Sequence, residues 1–188
     1  DLLAQHVDGF TEGEIEAGSV PAGVPQEYVD ELVELFDLKI GRLKSALTLT
    51  LANIGQIFHP GIMYGLFRKN PAATFPATDI PLFYENVDKE IADILSTMSD
   101  EVRAVARELS KVNPNVESEK VLHVSDWLRV SYEGLMGDTS SLPNMFRTNA
   151  AYKGIKALVV KVADNLYAPD FTARYIVEDI PFGLLVTR

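Results

Sequence analysis

The chain has 188 residues and a mass of 20.8 kDa, enough for one domain of ordinary size, or one domain with a fragment of another. It is 47% hydrophobic and 23% charged, a globular composition that excludes disorder and collagen-like repeats. Its 27 acidic and 17 basic residues give a net charge of −10, which argues against a nucleic-acid partner because such a surface needs a basic patch; with no Cys, disulfides, thiolate metal sites and a Cys nucleophile are excluded, and a reducing, cytoplasmic setting is expected.

The charge is unevenly placed. Residues 1–38 hold ten acidic residues and no Lys or Arg, whereas residues 39–188 hold seventeen of each sign. This acidic segment reads as a solvated face, or as part of a different structural unit. The chain opens at Asp1 without Met and ends at Arg188 just after an apolar run (Phe182 to Val186), so a fragment of a longer protein is expected. From Asp8 to Pro25, Gly9, Gly13, Gly18 and Gly23 with Pro21 and Pro25 read as loop. Pro25 then starts a helix through Leu38, with Tyr28, Leu32, Leu35 and Phe36 at helical spacing.

Residues 40–52 are ambiguous between a strand and a buried helix start, since leucines alternate with Thr48 and Thr50. Near Pro60 a new helix is expected to begin and to run to about Phe67. Pro71, Pro76 and Pro81 mark a loop. The strongest helical signal comes next: Val87, Ile91, Ile94, Met98, Val102, Val105 and Leu109 step by four and three, an apolar stripe of about six turns. Asn113-Pro114-Asn115 ends it. Further helices are expected over Val121–Leu135, Leu142–Arg147 and Phe171–Ile180. Few segments look like strands, so the fold class expected is all-α, a helical bundle-like domain. No apolar run approaches the roughly 20 residues of a membrane-crossing helix, and no membrane partner is expected.

No Gly-x-Gly-x-x-Gly, no Gly-Lys-Ser/Thr phosphate loop and no Gly-x-Ser-x-Gly turn occurs. His6, His59 and His123 are too scattered to suggest a metal site. His59 precedes Pro60, which restricts it to extended geometry at a helix entrance. Its near-neutral titration suits proton transfer to a carbonyl or imine, although a structural imidazole is the plainer reading. His123 sits among Val121, Leu122 and Val124 and suits a structural role. The segment Arg174 to Gly183 is the second candidate. Arg174 can clamp a carboxylate through two parallel hydrogen bonds. Asp179 can orient an imidazole. In a continuous helix these two residues would point roughly 140° apart, so they converge only if the helix ends between them. The plainer reading pairs Arg174 with Glu178. Trp127 and Tyr132 could line an apolar pocket or simply join the core.

Several ordered segments resemble the C-terminal helical domain of opine dehydrogenases, the octopine/nopaline dehydrogenase family. They are Leu51-Ala52-Asn53 with Ile57-Phe58-His59-Pro60; Phe83-Tyr84-Glu85 before a long helix; Asp126-Trp127-Leu128 with Tyr132; Asn149 to Ile155; and Arg174-Tyr175 with Glu178 to Leu184. Residues 20–38 resemble the last helix of that family's nucleotide domain. The resemblance implies a tail of an α/β dinucleotide-binding domain over 1–40 and a helical substrate-binding and catalytic domain over 41–188. It implies NAD- or NADP-dependent reductive condensation of an amino acid with a 2-oxo acid such as pyruvate, with the cofactor bound mainly by an N-terminal domain. His59 would be the general acid/base and Asp179 its partner. Arg174 would bind a substrate carboxylate. Asn53 would position substrate or the nicotinamide end, and Trp127 and Tyr132 the amino acid. Gly55 departs from the family's second Asn at that position.

Other readings share parts of this pattern. A 2-hydroxy-acid or ketopantoate-type dehydrogenase would share the architecture. A helical dimerisation module built on the Val87–Leu109 stripe would need no chemistry, and a homodimer through helices is compatible with either enzyme reading. The enzyme reading requires His59, Arg174 and Asp179 to converge on one open cleft, whereas the module reading lets them lie apart and predicts a large apolar interface; a His59–Asp179 separation beyond roughly 10 Å, with no hinge to close it, would sink the catalytic assignment. A severed acidic tail should pack thinly on the helical domain.

Overall fold

The computed structural model describes residues 15–23 and 25–187; His6 and the first part of the glycine-rich segment lie outside them. Strand β1 (Ile15–Ala17) pairs in parallel with β2 (Ile40–Arg42), Ile15 opposite Ile40. Helix α1 (Gln26–Phe36) joins them, opening after Pro25 and stopping where Asp37 turns left-handed at φ 52°. Its packing is thin. Only Val29 is buried, while Tyr28, Leu35 and Phe36 stand exposed. The ambiguous stretch resolves into β2 followed by helix α2 (Ala46–Ala52), and Ser45 caps α2 by accepting the Leu47 N–H at 3.1 Å.

Helix α3 (Gly55–Phe67) corrects one expectation. It starts at Gly55 and carries Pro60 inside it, so His59 is helical and not extended. Proline costs a helix interior about 3 kcal/mol. Here the cost is outweighed by burial: Ile57, Phe58, Ile62, Met63 and Phe67 are all within 3% of full burial, each contributing about 1.5–3 kcal/mol. Helix α4 (Lys89–Val112) fulfils the long stripe, with Asp88 capping it through the Ile91 N–H at 2.9 Å. Its buried line runs through Ile91, Leu95, Val102 and Ala106.

The α3–α4 contact is the most extensive between helices, and two glycines permit it. A Cβ on Gly61 would lie 2.5 Å from Leu95 Cδ2, and one on Gly65 2.5 Å from Ile91 Cγ1. Helix α5 (Val124–Ser131) is shorter than expected because His123 caps it, its Nδ1 accepting the Ser125 N–H at 3.2 Å. Helix α6 (Leu142–Thr148) has Ser141 as its cap. Phe146, Met145 and Leu128 from these helices close the core over α3 and α4.

Three strands were not expected: β1 falls in the stretch read as loop, and two more lie late in the chain. β3 (Val159–Ala163) and β4 (Leu166–Pro169) form an antiparallel hairpin turned at Asn165, φ 49°. The last expected helix is also shorter. The Asp170 carboxylate accepts the Thr172 N–H and hydroxyl at 2.9 and 2.7 Å, which holds that segment as a turn. Helix α7 (Arg174–Val177) begins only after it, and a wide turn over Ile180–Leu184 comes after α7. The domain is therefore predominantly helical, with two small sheets among the described residues. No described helix is long and apolar enough to cross a membrane.

Candidate active site

Asn53 ends α2, and its Oδ1 accepts the Gly55 N–H at 3.0 Å, which helps α3 to start. Gly55 lies against both Asn53 and His59. A Cβ there would come within 3.1 Å of Asn53 Oδ1 and 3.4 Å of the His59 ring, so any side chain at this position would crowd both groups. His59 itself is presented by the first turns of α3 and is partly exposed.

Its Nδ1 meets Asp179 Oδ2 at 2.7 Å, with side-chain exposures of 24% and 19%. A carboxylate can only accept, so Nδ1 carries the hydrogen and Nε2 is the nitrogen left to exchange a proton. Asp179 reaches His59 because α7 ends at Val177, the helix ending that convergence required. The segment after it is seated by Gly183, where a Cβ would come within 2.7 Å of the Gln56 Cβ. Gln56 is wholly buried, its Nε2 donating to the Thr50 carbonyl at 3.0 Å.

Arg174 does not join this pair. It is exposed and its Nε donates to both Glu178 carboxylate oxygens at 2.9 Å, as the plainer reading expected. Asn53, Trp127 and Tyr132 do come together, along one open cleft of about 1570 Å³ that Phe182 and Gly183 also line. Trp127 rests edge-on against Phe58, ring centroids 5.5 Å apart, and Tyr132 lies 5.8 Å beyond it. His59, Asp179 and Arg174 do not line the cleft, so the expected convergence of all three on one open cleft is not met: only His59 and Asp179 meet, and Arg174 turns to Glu178. The pair adjoins the cleft through Gly55, which joins His59 to Asn53, and through the segment from Asp179 to Gly183. Among the described residues no group of three or more metal-ligating side chains occurs.

Sequence reasoning assigned no role to the aromatic residues behind the pair. Tyr175 stacks face to face on His59, centroids 3.6 Å apart and planes 3° apart. Burial pushes its phenol up, and the Asp179 charge adds to the shift. Tyr84 is buried, and burial pushes its phenol up, with the neighbouring Tyr175 and Tyr132 phenols adding to the shift. Tyr152, whose ring lies 4.9 Å from that of Tyr132, is also pushed up mainly by burial. Nothing in local periodicity marks these contacts. Their only trace is that Tyr84 and Tyr175 fall within motifs that carried the resemblance.

A family model described as the NAD/NADP octopine/nopaline dehydrogenase alpha-helical domain matches residues 42–188. The chain belongs to the octopine/nopaline dehydrogenase family. It is 37% identical over 133 residues to the opine dehydrogenase of Haliotis discus hannai, covering 71% of this chain and 32% of that protein. It is 36% identical over 142 residues to the tauropine dehydrogenase of Arabella iricolor, covering 76% of this chain and 35% of that protein. A solved octopine dehydrogenase with NADH and L-arginine superposes with a TM-score of 0.74 at 29% identity, over 84% of this chain and 38% of that one. One with NADH and agmatine gives 0.73 at 28% identity, over 87% and 40%. The chain thus spans about a third of the length of the curated octopine/nopaline dehydrogenase relatives it matches. The match over 42–188 coincides with the predominantly helical part of the fold and contains every residue singled out at the site.

Proposed function

We propose that this chain is the substrate-binding and catalytic part of an opine-type dehydrogenase, which reductively condenses an amino acid with a 2-oxo acid such as pyruvate. The observation that carries the reading is the 2.7 Å bond between His59 and Asp179, a fixed acid–base pair beside an aromatic-walled cleft. NADH or NADPH, when bound, supplies the hydride. His59 exchanges the proton at Nε2 with the substrate nitrogen or oxygen, and Asp179 holds the ring and stabilises its charged form. Arg174 grips a substrate carboxylate once Glu178 releases it, which a bidentate guanidinium suits. Trp127 and Tyr132 wall the amino-acid side of the cleft.

The fit to a dinucleotide is partial, as a helical half requires. Asn53 stands exposed at the cleft with its Oδ1 engaged, and among the described residues nothing engages its Nδ2. That amide suits a polar group on the nicotinamide end. No phosphate-cradling glycine loop occurs in the chain. We assign residues 1–40 to the tail of a dinucleotide-binding domain and residues 41–188 to the helical domain. The parallel β1–α1–β2 connection and the exposed apolar side chains of α1 support that division. A cytoplasmic setting accords with the absence of Cys. A homodimer through helices would draw on α1, because the core of the α4 stripe is spent inside the chain.

The test monitors oxidation of NADH and NADPH by the full-length protein that carries this chain, with pyruvate and a panel of amino acids, in wild type and His59→Ala. Amino-acid-dependent turnover that the substitution abolishes is the expected result. Turnover of 2-oxo acids without any amino acid would move the protein to the hydroxy-acid class. Undiminished turnover in His59→Ala would overturn the assignment of the acid/base.

A further inference from the structure

A general acid works only when its proton points at the atom that receives it. The bond to Asp179 fixes one nitrogen of His59, but a single hydrogen bond leaves the ring free to roll about that contact. The second restraint is the Tyr175 ring, parallel to the imidazole within 3° and 3.6 Å away. Such a platform is attractive whether the imidazole is neutral or charged, through stacking in one state and the cation–ring interaction in the other.

Tyr175 cannot hold this position by local structure, because α7 has four residues and short helices do not persist alone. It is held from behind. Phe83, 1% exposed, lies 5.4 Å from the Tyr175 ring and 6.4 Å from the imidazole. Tyr84, 8% exposed, packs edge-on to Phe83 at 4.8 Å. Tyr84 is in turn stacked on Tyr152 at 3.9 Å. The restraint therefore runs from the buried core to the imidazole across three separate stretches of chain.

We propose that Tyr175 is a positioning residue which sets the plane of the His59 imidazole, and that the buried Phe83 ring backs Tyr175 in the stack. The proposal rests on the reading of His59 as the acid/base, and the experiment separates the two. In this chain only three His are present, so the His59 ring protons can be assigned by their absence in His59→Ala. A ring held face to face over Tyr175 resonates upfield of an unstacked imidazole. Tyr175→Phe should keep that shift and Tyr175→Leu should lose it. In the full-length enzyme Tyr175→Leu should lower kcat by up to about 10²-fold with KM little changed, and Tyr175→Phe should recover most of it.

Phe83→Leu removes the ring behind Tyr175 and keeps an apolar side chain in the core, so it tests that support even if Tyr175→Leu fails to fold. It should weaken the His59 shift and lower kcat several-fold. If His59→Ala keeps its turnover, the acid/base reading falls and this proposal falls with it. If His59→Ala is inactive while Tyr175→Leu keeps wild-type kcat, the proposal alone is overturned. An unshifted His59 resonance in the wild-type chain would also overturn it.

Discussion

His59 and Asp179 meet at 2.7 Å although 120 residues separate them in the chain. The contact ties the first turns of α3 to the segment beyond α7, and it leaves Nε2 as the imidazole nitrogen able to exchange a proton. Asp179→Asn would still accept from Nδ1–H but would not balance a charged ring. In the full-length enzyme it should lower kcat by about 10²–10⁴-fold, with KM within a few-fold and thermal stability nearly unchanged. Steady-state kinetics beside a melting curve separates this from a folding defect, and wild-type kcat in the variant would show that the pair is structural.

Arg174 is exposed and paired with Glu178, so its contribution to stability is small. Arg174→Lys should change unfolding free energy by less than about 0.5 kcal/mol. Lys lacks the planar fork, and losing a bidentate grip on a carboxylate should raise the KM of the 2-oxo acid by about 10-fold or more. Glu178→Gln should have the opposite effect on KM, because it removes the competing carboxylate. An unchanged KM in both variants would show that Arg174 does not reach substrate.

Tyr84 and Tyr152 are buried, and both hold their protons well above the ordinary tyrosine range, chiefly through burial. The unfolded chain releases these protons near pH 10, whereas the folded chain retains them. Their contribution to stability is thus fully present below about pH 10 and is lost as pH rises towards the folded value. The expected slope is about 1.4 kcal/mol per pH unit for each of the two. Denaturant melts at a series of alkaline pH values would show it, and Tyr152→Phe should flatten the slope. A stability that does not fall above pH 10 would contradict the burial of both phenols.

Gly65 lets Ile91 of α4 approach within 2.5 Å of where a Cβ would stand. Gly65→Val must push the helices apart, at about 1–3 kcal/mol or more. The unfolding midpoint in urea should drop with the m-value kept. A variant as stable as the wild type would mean that the two helices can separate without cost.

The parts of the fold legible in the sequence are those whose information is local and periodic. The stripe from Val87 to Leu109 predicted α4, although its buried centre also includes Ala92, Ser99 and Ala106, small residues that a hydropathy pattern passes over. Pro60 misled the reading of α3, because the pre-proline rule weighs backbone sterics while the buried face of α3 outweighs them. The β3–β4 hairpin escaped notice although Asp164-Asn165 between Val162 and Leu166 is turn chemistry, since its strands are short and β3 is mostly exposed. At the site, residue type nominated His59, Arg174 and Asp179, and the end of α7 supplied the bend that Asp179 needs. The Tyr175 stack and the Phe83 ring behind it depend on three remote segments meeting, which no spacing in the chain encodes.

Arg174, Tyr175 and Asp179 all lie on or just past a four-residue helix, and the seat of Gly183 on Gln56 pins the far end of that segment. These groups therefore share one mount. Loosening that mount would displace the Arg174 guanidinium, the Tyr175 ring and the Asp179 carboxylate in a single event. Damage at Gly183, which touches none of the three, would register as the simultaneous loss of all of them.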